Sequence, residues 1–271
     1  MQAQALTIDG TGSDTFVQIS AGTDTGTTAS ASGKAGIAIG SGANAGATTD
    51  TGNEVAIGTK AQAYGVGGEV AIGLEAKATN QSAVALGEKT NAGNENTVAV
   101  GMQASAQGQD SIAIGRFAST SASATAGVAV GRQTQANNAY TIALGDKAIA
   151  NGQLATAIGR NSQADGNGSI AVGYTASSVG SGSIAVGRAT VANGYNAVAI
   201  ARQASASEST SIAVGYKANA SNVNSMAVGT GAAASGVGAN AIGSSANASG
   251  TNAMAEGTGA TASGTAATAI G

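Results

Sequence analysis

The sequence predicts an all-β fold, a narrow β-solenoid built from fourteen-residue coils, on three observations. First, a tetrapeptide of the form apolar-Ala-apolar-Gly recurs. Its closing residue falls at Gly40, Gly58, Gly73, Gly87, Gly101, Gly115, Gly131, Gly145, Gly159, Gly173, Gly187, Ala201, Gly215, Gly229, Gly243, Gly257 and Gly271. The spacings are 18, 15, 14, 14, 14 and 16, then 14 without a break. A flexible Gly/Ser/Ala linker has no reason to hold such register. Second, each repeat contains two short runs of period-two alternation, the signature of strands. Third, of 271 residues 64 are Ala and 43 Gly, aromatics are 3%, and Pro, Cys, His and Trp are absent. Too few large side chains remain to fill the core of an ordinary domain of this length.

At the N-terminus, residues 5–8 and 15–19 alternate on either side of a polar 9–14 segment. That pattern reads as a β-hairpin within a 1–33 segment that caps the first coil, with the repeats over 34–271. Within a repeat, counting the closing residue as position 0, Ala stands at −2 in every copy from Ala38 to Ala269, with aliphatics mostly at −3 and −1. This is the first strand. The second strand has small residues at +3 and +5, as in Ala104 and Ala106, and mostly polar ones at +2, +4 and +6. Position +7 is mostly Gly or Asn, residues that tolerate positive φ, which predicts a tight turn there. Coils stacked at ~4.8 Å would make a rod of roughly 80 Å.

The interior of so short a coil has no room for branched side chains, so Ala113, Ala143, Ala185 and Ala213 are assigned to it. Their neighbours Ile112, Ile114, Ile142, Leu144, Ile184, Val186, Ile212 and Val214 must then face outward. Such pairs, repeated coil after coil, form an apolar stripe that a soluble monomer cannot leave exposed. They are expected to line the axis of a homotrimer or similar assembly. The alternative places Ile and Val inside and Ala outside, in a monomeric solenoid. Towards the C-terminus Asn240, Met254, Glu256 and Thr268 interrupt the stripe, and Glu256 would bring a carboxylate to the shared axis.

The Val-Ala-Ile-Gly and Ser-Ile-Ala-Val-Gly copies at period fourteen, followed by Ala-x-Ala and then Gly, resemble the YadA-like head of trimeric autotransporter adhesins over about residues 34–271. The resemblance implies a left-handed parallel β-roll, trimeric about its long axis, on the outer membrane surface of a Gram-negative bacterium. It also implies binding to extracellular matrix protein, host cells or abiotic surfaces. The family's signal peptide, neck, stalk and C-terminal barrel are not seen, and the chain stops on the motif residue Gly271, which predicts a piece of a longer chain. The N-terminal segment also looks like the opening of phage tail-fibre proteins. A phage fibre, with a bacterial surface receptor as its partner, therefore remains the alternative.

All five arginines, Arg116, Arg132, Arg160, Arg188 and Arg202, stand at position +1, and the same column holds Asp146, Tyr174 and Tyr216. Stacking would align them into a stripe that either grips an acidic partner or bridges protomers. Insertions at 45–54, 65–69 and 121–127 would bulge outward as loops. No cofactor or metal is expected: the Gly10-x-Gly12 and Gly65-x-Gly67 pairs lack the rest of a nucleotide fingerprint, and Asp9 and Asp14 read as turn residues. Without His or Cys, and with an alanine-filled interior, the chain reads as non-enzymatic. Residues 1–110 carry ten acids and four bases, and 111–271 carry four acids and seven bases, neither half basic enough to suggest nucleic acid. No segment approaches the ~20 apolar residues of a membrane span.

Overall fold

A computed structural model of the chain describes residues 17–19, 28–32, 36–46 and 53–271. They fall in two compact units, Met1–Ala139 and Tyr140–Gly271, each a parallel β-solenoid of stacked coils. The strands are two or three residues long, and no helix occurs among the described residues. In the first unit one ladder runs from Val17–Ile19 through Ile37–Ile39 to Val128–Val130. The other runs from Ser30–Ser32 through Asn44–Gly46 to Gln135–Ala136. In the second unit the corresponding ladders span Ile142–Leu144 to Thr268–Ile270 and Ile149–Ala150 to Thr261–Ala262.

Pairing of the coil's own kind thus reaches back to Val17, where Gln18 stands over Ala38. The other arm of the expected hairpin (5–8), its 9–14 turn with Asp9 and Asp14, and residues 47–52 of the first insertion lie outside the described residues.

Each residue pairs with its equivalent one repeat away, so alanine stacks on alanine: Ala99, Ala113 and Ala129 in the first unit, and Ala171, Ala185, Ala199 and Ala213 in the second. These alanines are fully buried. The interior is completed by +3, +5 and −4, again small: Ala104 and Ala106, or Ala218 and Ala220. Buried hydroxyls pair with each other, as Ser111 with Thr120 at 2.7 Å and Ser178 with Ser183 at 2.6 Å, or donate to backbone carbonyls, as Thr90 to Gly87 at 2.9 Å, while Ser169 has no partner. Each pair avoids the penalty of a lone buried hydroxyl.

Two β-turns close each coil. The carbonyl of position 0 accepts from the amide of +3, as Gly115 from Ala118 (3.1 Å), and that of +7 accepts from +10, as Gly180 from Ser183 (3.1 Å). Positive φ falls on the third residue of each turn, Phe117 at 58° and Gly182 at 68°. The sequence reading therefore located the +7 turn but misjudged its glycine. Gly180 does not have positive φ; a Cβ there would collide with the carbonyl of Gly194 in the next coil. At Gly180 close approach between coils, and not the backbone angle, calls for glycine.

Position 0 does need glycine for its backbone, with φ near +130° (137° at Gly173). The exception is Ala201, held at φ 95°, a region that disfavours a Cβ. The next coil feels it: the Gly215 amide reaches the Ile200 carbonyl at 3.0 Å, against 2.8 Å for Gly187 to Val172 and Gly229 to Val214. Ala201→Gly is expected to stabilise the protein by ~1 kcal/mol, strain relief outweighing the extra freedom of the unfolded chain. Chemical denaturation reads this directly, and a destabilised variant would refute the strain.

Two insertions depart from the expected outward loops. In 121–127 the chain makes a second turn and buries Ala124 inside the coil, with Gly127 donating to the Ala124 carbonyl at 2.9 Å. In 65–69 Val66 projects outward while Glu69 folds into the interior, its carboxylate accepting from the Gly67 amide at 3.0 Å.

Candidate functional site

Strand geometry sends alternate residues to opposite faces, so burial of the −2 alanines forces the flanking aliphatics outward. Ile112 and Ile114 in the first unit, and Ile142, Leu144, Ile184, Val186, Ile212 and Val214 in the second, lie on the outside of their coils, half-buried or exposed. Ile114 and Ile142 each keep 39% of their surface open. The alternative with Ile and Val inside and Ala outside is thereby corrected: the alanines fill the coil interior. Glu256 follows the same rule and faces outward, exposed.

Immediately after this strand the chain turns, and position +1 occupies the corner beside the aliphatic stripe. In the first unit Arg116 and Arg132 stand there, both exposed, and the Arg116 guanidinium lies 5.0 Å from the centre of the Phe117 ring. In the second unit the column reads Asp146, Arg160, Tyr174, Arg188, Arg202 and Tyr216 on successive rungs. Arg160 pairs with Asp146 at 3.6 Å and also lies 5.7 Å from the Tyr174 ring centre. Arg188 lies 5.9 Å from the same ring. Arg202 leans the other way, 4.4 Å from Tyr216, which Lys217 also approaches at 5.3 Å. These are cation–π distances.

The adjacent cations Arg188 and Arg202 thus stack on different rings and separate, with no carboxylate partner among the described residues. Aromatic faces thereby relieve part of the repulsion between like charges on adjacent rungs. The positive field is visible in Tyr216: a hydrogen bond from Lys217 holds its hydroxyl below the ordinary value against burial, helped by the charges of Arg202 and Lys217 and a hydrogen bond from Arg202. Spacing alone could align this column, but it could not say which way each side chain leans.

A second cluster escaped the sequence reading. Glu54 and Glu69 occupy position −4, an interior site that is Ala83, Thr97 or Ser111 in the following coils. They sit one rung apart, since the Val55 amide donates to the Glu69 carbonyl at 2.9 Å. Both are fully buried, and both carboxylate oxygens of Glu54 and Oε2 of Glu69 lack a partner. Burial pushes the Glu54 carboxyl above its ordinary value of 4.5, and the Glu69 charge adds to this, while its own backbone amide opposes. The signal was present in the sequence, two acids in a column otherwise small. Both stand at the end of an insertion, and in the second the Gly67 amide of the insertion donates to Glu69 Oε1 at 3.0 Å. Among the described residues no three potential metal ligands gather.

The model of the YadA head domain repeat matches residues 70–90, 78–104, 92–118, 122–148, 150–176, 178–200, 206–232, 234–260 and 249–271. Among solved structures, the collagen-binding domain of the Yersinia adhesin YadA is 34% identical, with a TM-score of 0.40, the match covering 59% of this chain and 80% of that one. No curated protein matches the sequence. The matched repeats span most of the chain and coincide with the coils of both units, and the chain accordingly belongs to the YadA head domain family.

Proposed function

We propose that this chain is the head of a trimeric adhesin on a bacterial surface, attaching the cell to extracellular matrix protein, host cells or other surfaces without catalysis. Family membership supports the adhesin class. The observation that carries the trimer is the outward aliphatic stripe. Pairs such as Ile112 with Ile114 and Ile184 with Val186 leave large apolar area open on every coil while the coil interior is already full. Three stripes meeting on a common axis remove that area from water, at ~25 cal/mol per Å². The hydrophobic core that each slender coil lacks then lies between protomers. Binding through a repetitive surface on three chains would draw its strength from many weak contacts held together.

Light scattering on the purified protein is expected to give three times the 25.3 kDa protomer mass. A monomer at micromolar concentration would overturn the shared axis. The trimer is also expected to bind immobilised matrix proteins or cultured host cells, and failure on every such surface would overturn the adhesin reading.

A further inference from the structure

The column at position +1 in the second unit offers more cations than the chain itself neutralises. From Arg160 to Tyr216 it carries three arginines, with Lys217 beside it at +2, and among the described residues only Arg160 of these four has an acid partner, Asp146. Arg160, Arg188 and Arg202 are exposed. The Arg188 and Arg202 guanidinium groups lie 5.9 and 4.4 Å from the Tyr174 and Tyr216 ring centres, and neither has a carboxylate partner among the described residues. Arg202 also donates to the Tyr216 hydroxyl, which leaves the rest of its fork of N–H donors, and that of Arg188, for a ligand. The window is bounded along the column by Asp146 at one end and by the neutral Thr230 beyond Tyr216 at the other.

Because +1 residues recur at one rung, ~4.8 Å, the cations lie in a straight row along the coil stack. Such a row fits an extended, linear polyanion better than the curved acidic patch of a folded protein. The neighbouring +2 corners carry Asn161, Thr175, Ala189 and Gln203, of which the two amides and the hydroxyl suit hydroxyl groups on the ligand. We infer that the column Arg160–Tyr174–Arg188–Arg202–Tyr216, with Lys217, is a binding site for a sulfated polysaccharide. Sulfate groups pair with the guanidinium donors of Arg188 and Arg202, and sugar hydroxyls meet the +2 side chains. This rests on the adhesin reading above and names one ligand class for it.

The test uses the full chain and heparin as probe, with fully desulfated heparin and poly-glutamate as comparisons. Heparin is expected to bind and to release as salt is raised. R188Q/R202Q is expected to bind at least ~tenfold more weakly, since two charge-assisted hydrogen-bonding sites are lost, with trimer mass and unfolding midpoint unchanged. A charge-matched control in the first unit, K60Q/K89Q, is expected to bind heparin as the parent does. Equal binding by R188Q/R202Q, equal affinity for poly-glutamate or for desulfated heparin, or loss of the trimer in R188Q/R202Q would each overturn the inference, the last by making the column a bridge between protomers. Matrix-protein binding without heparin binding would sink this site and leave the adhesin reading standing. Absence of binding to every surface would sink both.

Discussion

Ala113→Leu is expected to abolish cooperative folding of the first unit or to cost more than ~3 kcal/mol, while Ile112→Leu, one residue away, is expected to cost less than ~1.5 kcal/mol. The difference comes from facing. Ala113 is fully buried, with Ala99 directly on one side and Ala129 on the other in the same column. Three added carbons have nowhere to go, because the neighbouring coils are held at rung distance by backbone hydrogen bonds such as Gly115 to Val100 at 2.7 Å and Ile112 to Gly127 at 2.8 Å. Overpacking in an ordinary core is relieved by side chains changing rotamer, but alanine has no rotamer to change. Ile112 points out of the coil, where a leucine of equal volume is accommodated. Circular dichroism during denaturant unfolding separates the two, and equal midpoints would refute the assignment of inside and outside.

The buried glutamates give the second large effect. Glu54 is fully enclosed, with neither carboxylate oxygen partnered and Glu69 one rung away. Its folded-state pKa is raised above the ordinary 4.5. A raised folded pKa means the native state holds its proton more tightly than the unfolded chain. The resulting stability is fully present below pH 4.5 and is lost as pH climbs through the higher folded value. The wild-type protein should therefore unfold at a higher temperature in mild acid than at neutral pH. Glu54→Gln removes the charge at nearly constant shape. It is expected to raise stability at neutral pH, where the buried charge is lost, and to flatten the pH profile. Thermal melts of both proteins from neutral pH down to pH 4.5 check this. A wild-type profile as flat as that of the variant would show that the pair is already compensated in solution.

What the sequence could and could not reveal follows from where information is repeated. The alanine at −2 and the aliphatics beside it occur coil after coil, so facing, pairing register and the two-ladder plan were legible before any coordinates. The Arg/Tyr column was legible as a column for the same reason. Features that occur once or twice were not. Glu54 and Glu69 break the small-residue pattern at −4 only at the ends of two insertions, where the repeat gives no guide to what is buried. The positive φ values at +2 and +9 fall on residues as different as Phe117, Gln103 and Leu154. The hydrogen bonds to neighbouring coils dictate that conformation, and the local residue does not. The glycine at +7 was placed correctly but for the wrong reason, because distance between coils is invisible to a reading that follows the chain one residue at a time.

The corners carry one more consequence. Turn residues donate their amides to the adjoining coil, Phe117 to Met102 at 3.1 Å and Gly182 to Asn167 at 2.8 Å, just as the strands do. A protease must draw several residues of a substrate into extended form within its own cleft, and it ordinarily finds them in loops whose amides are free. In these coils a corner cannot be lifted without breaking bonds to its neighbours, so cleavage must wait for a coil to open from the stack. Resistance to digestion is then a property of the winding itself, and needs neither disulfides nor a thick core.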